Sequence, residues 1–186
     1  KEKVLSDVVW VIRKFQPDVI ITRFPGDGRG GHGHHTASAM LAQEAFDIAA
    51  DPNEYPEQLE YVTPWQPKTL LCNTTSWFYR NADFDVEGLI SVDVGAYNHL
   101  LGKSYTEIAA ESRSMHKSQG FGATGTRGST LEYLEHVKGE KITGDFLTGS
   151  TKGWKSLEGA EELSTLLNRA LNEFDSEQPA NITPIL

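Results

Sequence analysis

The residues best suited to chemistry in this chain are three histidines crowded into four positions of a glycine-rich stretch. Residues 30–35 have the sequence GGHGHH and lead into an alanine-rich run typical of a helix. Neutral imidazole is the commonest metal ligand and the side chain best suited to proton transfer near neutral pH. His32 and His35 are three residues apart, so both can reach one centre from one face of a helix or its first turn. The spacing predicts a metal-binding or catalytic site.

Two other interpretations of this histidine loop stay open on the residues alone. It could be a solvated helix start without chemistry, or an anion site, since glycines before a helix N-terminus bind phosphate. The P-loop pattern fails, because no Gly-Lys-Ser/Thr follows the glycines. An expression tag does not fit an internal stretch that continues into an apolar helix.

The composition is typical of one globular domain and argues against several classes of partner. The chain has 186 residues, 38% of them hydrophobic, and a net charge of −9. We expect one domain over residues 1–186 with a frayed tail at 175–186. Basic residues do not interleave with aromatic ones, so we expect no nucleic-acid partner. No apolar run approaches the ~20 residues of a membrane span, and no targeting segment is recognisable, which leaves the localisation open.

The single cysteine, Cys72, excludes an internal disulfide and a cysteine-rich zinc module. It lies in an apolar run and is expected to be a small buried strand residue rather than a nucleophile.

Alternating helix and strand patterns predict an α/β fold in which the histidine loop comes after a strand. Helical periodicity predicts helices, and short apolar runs predict strands. The helices are expected at 3–15, 34–50, 104–117 and 158–174, with a helical start at 97–101, and the strands at 18–22, 68–73 and 89–94. Ligands of parallel α/β sheets bind outside the carboxyl ends of the strands, where this loop lies.

Several ordered motifs resemble one known family. They are PDVIIT at 17–22, GHGHH at 31–35, SVDV at 91–94 and MHKSQ at 115–119. Over roughly residues 3–120 the chain resembles the LmbE-like, or PIG-L, N-deacetylases, zinc enzymes that remove acetyl groups from N-acetylated sugars and related amides. The resemblance implies a three-layer α/β/α sandwich with a Rossmann-like, mostly parallel sheet. It also implies a small-molecule or glycan substrate, with the oligomeric state left open.

The resemblance assigns roles to the histidines. His35 matches the zinc ligand of the family's second motif, and His32 matches the histidine that assists the oxyanion and the departing amine. His34 stands where the family often has an aspartate, and we do not expect it to bind the metal.

One family motif is absent from this sequence. The family's first motif, Ala/Pro-His-Pro-Asp-Asp after the first strand, supplies a histidine and an aspartate to zinc and the aspartate taken as general base. We therefore expect a fragment that lacks its first strand, has one identifiable zinc ligand, and is inactive and weakly loaded with zinc by itself. The alternatives are a non-catalytic carbohydrate-binding or structural module of the same fold and, less favoured, a metal-independent hydrolase with His32 as base.

Four further residues are candidates for substrate binding. The family resemblance places His116 and Gln119 near the cleft, although a histidine at a helix C-terminus is favoured by the helix dipole alone. Arg127 lies in a long glycine- and threonine-rich loop at 118–130, and loops of that length are often functional. Arg29 lies in the histidine loop itself.

Two other patterns are weaker. Residues 120–125 match Gly-x-Gly-x-x-Gly, but a helix rather than a strand precedes them, so nucleotide binding is not expected. The aromatic residues at 76–79 form a short strand or an aromatic loop, and we expect them to be mainly core.

Overall fold

A computed structural model describes residues 1–80, 84–119, 121–143 and 158–185. The chain divides into two compact units, residues 1–146 and 147–186. The single domain expected from chain length stays a prediction.

The first unit is an α/β structure around a four-stranded sheet. Its helices are α1 (Glu2–Phe15), α2 (Gly33–Ile48) and α3 (Tyr105–Ser114). Its strands are β1 (Val19–Thr22), β2 (Thr69–Thr74), β3 (Ile90–Asp93), β4 (Tyr97–Asn98), β5 (Lys103–Ser104) and β6 (Leu131–Gly139). The sheet order is β1-β2-β6-β3, and β4 pairs with β5 in a separate hairpin. This confirms the predicted α/β class.

The sheet is mixed, and three of its four strands run in the same direction. β1 and β2 pair in parallel, and β6 runs antiparallel to both of its neighbours, β2 and β3. β1, β2 and β3 therefore point the same way, and their carboxyl ends lie at one edge of the sheet. β6 begins at that edge, since Leu131 pairs with Asp93.

Helices α1 and α2 pack together through small and branched side chains. Leu5, Val9 and Ile12 of α1 are buried against Ala45 of α2 and Ala49 just after it, and Ile20 of β1 packs against this cluster. The apolar spacing of α1 is the one that predicted a helix, and it directs a single stripe of side chains inward. Gln16 ends α1 in a left-handed conformation immediately before Pro17.

A buried arginine ties α1 to the segment after α2. The side chain of Arg13 is 1% exposed, and burial lowers the pKa of its guanidinium although nearby carboxylates oppose this effect. It donates hydrogen bonds of 2.7–3.3 Å to five acceptors, the carbonyl oxygens of Ala49, Asp51, Glu54 and Tyr55 and the side-chain oxygen of Gln58. The guanidinium thus fastens α1 to the chain beyond the end of α2, where the carbonyls of Ala49, Asp51 and Tyr55 also accept backbone N–H groups.

The Arg13→Met variant keeps the aliphatic stem but removes all five hydrogen bonds of the buried guanidinium. We expect it to lower the free energy of unfolding by about 3 kcal/mol, measured by urea denaturation. Arg113→Met, at an exposed position of α3, is the matched control and should change it by no more than about 0.5 kcal/mol. A loss at Arg13 below about 1 kcal/mol would contradict the assigned role.

Two segments differ from the sequence prediction. Residues 97–101, expected to begin a helix, start the β4–β5 hairpin instead, because the Asn98 side chain accepts the backbone N–H groups of Leu100 and Leu101 and Gly102 adopts a φ of 64°. Local turn chemistry therefore outweighs helix propensity here. Strand β6 was not predicted at all, although it lies between β2 and β3 in the sheet.

The second unit contains helix α4 (Glu161–Glu173), which confirms the helix predicted near 158–174. A short 3-10 helix, Pro179–Ile182, lies in the tail that was expected to be frayed, and Ile185 is buried. Across the described residues of both units, none of the helices has the length and apolar character needed to cross a membrane.

Candidate active site

The sheet brings the segments after β1 and β2 together at one edge. The histidine loop, residues 23–35, comes after β1, and a 3-10 helix, Ser76–Tyr79, comes after β2. A second 3-10 helix within the histidine loop, Gly28–Gly30, contacts Ser76–Tyr79. The carboxyl-terminal edge of the parallel strands is therefore where the predicted site lies, as the α/β pattern led us to expect.

Short-range hydrogen bonds shape the loop between β1 and α2. The Asp27 carboxylate accepts the backbone N–H of Arg29 at 2.9 Å, and the Asp27 carbonyl accepts the Thr36 hydroxyl at 2.9 Å. Gly31 adopts a φ of 79°, which side chains rarely tolerate, and the turn it makes delivers His32 to the N-cap of α2. The three histidines therefore stand at the start of a helix.

His35 is held in one orientation by two contacts. Its Nδ1 lies 3.2 Å from the carbonyl oxygen of Gly30, and its ring stacks on Phe24 with centroids 3.8 Å apart and planes 6° from parallel. Because a carbonyl only accepts hydrogen bonds, Nδ1 carries the proton. In the neutral ring, Nε2 then keeps its lone pair, as in an imidazole that binds a metal.

The other two histidines lie against His35. The ring centroids of His32 and His35 are 5.1 Å apart, and the two ring planes are nearly perpendicular. The ring centroid of His34 lies 4.4 Å from that of His35. Both are exposed, whereas His35 is half-buried. The structure thus brings together the pair His32 and His35 that the spacing singled out.

The described residues do not form a complete metal site. Among them, no group of three or more His, Cys, Asp or Glu side chains has the arrangement needed to hold a metal ion. Catalytic zinc sites generally use three protein ligands. His35 fits the part of one oriented ligand, and the described chain does not complete the set.

Arg29 is the predicted substrate-binding residue that lies within this region. Its guanidinium pairs with Asp27 at 2.9 Å and lies over the ring of Tyr79, 4.9 Å from the centroid. Partial burial lowers the pKa of Arg29, but interactions with Tyr79 and Asp27 outweigh it and raise the pKa overall. Its substrate-binding role stays a prediction.

The other three predicted substrate-binding residues lie beyond the start of α3. His116 and Gln119 are exposed after its last turn, and the Gln119 N–H donates to the His116 carbonyl at 2.9 Å. Arg127 pairs with Glu107 at 2.9 Å. Within the described part of the chain, no hydrogen bond, ion pair or ring contact joins them to the histidine loop. Their roles also stay predictions.

The glycine- and threonine-rich loop is anchored to α3 and to β3 in its described part. The Ser104 hydroxyl donates to the Thr126 carbonyl at 3.0 Å, and the Asp93 carboxylate accepts the N–H groups of Gly95 and Thr130 at 2.8 and 2.9 Å. A Cβ on Gly95 would overlap the carbonyl of Gly128, so this approach requires glycine. Arg127 is therefore held in place by a structured loop.

A cleft beside the histidines was missed at the level of sequence. It lies between residues 27–31 and 77–80 and has a volume of about 850 Å³. Phe78 is core, as expected, but Trp77 is 58% exposed at the cleft. The sequence feature that could have indicated this 3-10 helix is Thr75, a helix-capping residue type that comes directly after a buried strand. Its hydroxyl accepts the Trp77 N–H at the start of the 3-10 helix.

Cys72 is a buried residue of β2, and burial raises the pKa of its thiol. A protonated, buried thiol is not a nucleophile, in agreement with the sequence analysis.

Comparison with known proteins gives one partial similarity. The chain is 38% identical over 74 residues to mycothiol S-conjugate amidase of Streptomyces coelicolor. The matched segment is 39% of this chain and spans about a quarter, 24%, of that relative. No family model matches the chain.

The anchoring of Asp93 generates a pH prediction. Hydrogen bonds from the Thr130 and Gly95 N–H groups and from Ser129 hold the pKa of Asp93 below its ordinary value of 3.8. Asp93 in the unfolded chain therefore binds a proton more readily than Asp93 in the folded protein. The stabilisation of the fold by the ionised carboxylate is present above the ordinary pKa and is lost as pH falls through the lowered pKa. Asp93→Asn should lower Tm near neutral pH and converge with the parent protein in acid.

The measurement is thermal unfolding of both proteins from about pH 3 to pH 7. Asp85→Asn, in an exposed loop before β3, is the control and should shift Tm little at any pH. A Tm difference for Asp93→Asn that is the same across the whole range would contradict this account.

Proposed function

We propose that the histidine loop is part of an amide-hydrolysing site that removes an N-acyl group, in particular N-acetyl, from a sugar-like or glycoconjugate substrate. The observation that carries the proposal is the His35 imidazole, with Nδ1 hydrogen-bonded to the Gly30 carbonyl, Nε2 without a hydrogen-bond partner among the described residues, and His32 alongside. The partial similarity to an amidase supports the same reaction class. The resemblance to the LmbE-like N-deacetylases supports the choice of acyl group and substrate.

His35 is the residue of this chain that would hold zinc in such a site. The Gly30 carbonyl and the Phe24 ring fix the plane of its imidazole, so Nε2 is aimed before any ligand arrives. Zinc, when bound, polarises an amide carbonyl and acidifies water.

His32 is placed to move a proton. It is exposed at the N-cap of α2, with its ring centroid 5.1 Å from that of His35, so it can face a substrate held there. In its protonated form it would stabilise negative charge that develops on the amide oxygen. It would then donate its proton to the departing amine, which is a poor leaving group when unprotonated.

The open side of β1 is where we propose that the remaining protein ligands of the metal are supplied. In the described sheet β1 pairs on one side only, with β2. A further parallel strand on its other side would end beside the histidine loop, at the carboxyl-terminal edge of the sheet. We propose that residues after such a strand complete the metal site.

A second candidate is a carbohydrate-binding module without catalysis. One observation favours it: Trp77 is exposed beside the cleft, where it could stack on a sugar ring.

The proposed reaction is tested by acetate release from an N-acetylated amino sugar, using the natural protein as its gene encodes it. We expect hydrolysis that a chelator abolishes and zinc restores. His32→Ala should lower kcat by about 10²–10⁴-fold, the usual contribution of a general acid. His35→Ala should remove both zinc binding and activity.

His99→Ala is the matched control, since this exposed histidine lies at the tip of the β4–β5 hairpin. It should leave activity unchanged. Zinc-independent hydrolysis, or hydrolysis that survives His32→Ala at the parental rate, would contradict the proposal. Saturable sugar binding without any hydrolysis would favour the binding module.

A further inference from the structure

The cleft beside the histidines has the size and position of a substrate subsite. It lies between the 3-10 helix of the histidine loop and the 3-10 helix after β2, and its volume is about 850 Å³. That volume is in the range of small-molecule sites, roughly 300–1,000 Å³. Gly31 lines it and is bonded directly to His32, so a molecule reaching the imidazoles can extend into the cleft.

The charges of the cleft oppose those of the chain as a whole. The protein carries a net charge of −9, yet the cleft is lined by Arg29 and Arg80 and by a single carboxylate, Asp27. Arg29 is paired with Asp27, whereas no described carboxylate pairs with the Arg80 guanidinium. One positive charge in the cleft is therefore left uncompensated by the described residues.

Arg80 ends the 3-10 helix Ser76–Tyr79 in a left-handed conformation. Its φ is 55°, in the left-handed region that residues other than glycine seldom adopt. The Arg80 N–H is held by the carbonyls of Ser76 and Trp77 at the end of the 3-10 helix.

The aromatic and guanidinium side chains at the cleft suit a substrate that has both a ring with an apolar face and an anionic group. Trp77 is 58% exposed at the cleft, and Arg29 lies 4.9 Å from the ring centroid of Tyr79. An indole face packs on the apolar face of a sugar ring, while a guanidinium pairs with a carboxylate or phosphate.

We propose that the cleft binds an anionic group of the substrate, a carboxylate or a phosphate, with Arg80 as the ion-pair partner and Trp77 against the adjoining ring. This inference rests on the proposed function, because it assigns the part of the substrate that lies away from the amide. It narrows the substrate class to anionic N-acylated sugars.

The test compares three probes by isothermal titration calorimetry on the full chain: N-acetylglucosamine, its 6-phosphate and N-acetylmuramic acid. The neutral sugar lacks the anion, and the other two carry a phosphate and a carboxylate. At least one anionic sugar should bind roughly tenfold more tightly than the neutral one, the usual effect of a hydrogen bond to a charged group. The tighter of the two anionic probes identifies which anion the cleft accepts.

Arg80→Gln should reduce that preference to about twofold or less, and Arg80→Lys should keep part of it. Arg113→Gln, at an exposed arginine outside the cleft, is the control and should keep the full preference. Thermal unfolding of each variant confirms that it is folded. Equal affinity for all three probes, binding of none of them, or a preference unchanged in Arg80→Gln would each overturn the subsite.

Acetate release, measured separately, keeps the two proposals distinguishable. An Arg80-dependent preference for an anion without hydrolysis would support the subsite and count against the proposed reaction. Hydrolysis of neutral and anionic sugars at equal kcat/KM would support the reaction and overturn the subsite.

Discussion

The parallel pairing of β1 and β2 is the constraint on which the site depends. Val19 lies opposite Thr69 and Thr22 opposite Cys72, so both strands end at the same edge of the sheet, with β2 two residues longer. The segments that leave the two strand ends must then share one edge of the sheet. The histidine loop and the Trp77–Arg80 turn, more than 40 residues apart in sequence, meet there for this reason.

At that edge, a hydrogen bond and a ring contact fix the orientation of the His35 imidazole. The Gly30 carbonyl selects the tautomer of His35, and Phe24 holds the plane of its ring. An imidazole already restricted in this way loses less conformational freedom when a ligand binds. His32, by contrast, is exposed, and its ring lies against those of His34 and His35.

Local patterns in the sequence predicted much of the fold and the histidine cluster. Apolar spacing located α1, β1, α2, β2 and β3, and the three-residue interval brought His32 and His35 together. Strand β6 escaped prediction because its place depends on distant partners, as where Glu135 pairs with Cys72. The pairing of Arg127 with Glu107 and the opening of the cleft at Trp77 likewise arise between segments that no local pattern connects.

The central claim is that the Nε2 of His35 is the free, metal-binding nitrogen of this loop. It is tested most directly by long-range ¹H–¹⁵N correlation spectra of the histidine side chains at about pH 8, where imidazoles are ordinarily neutral. Spectra of the His35→Ala variant assign the ring, and zinc is then titrated. The account predicts a proton on Nδ1 of His35 and a zinc-dependent change at its Nε2. A proton on Nε2, or a zinc response confined to His32 and His34, would contradict it.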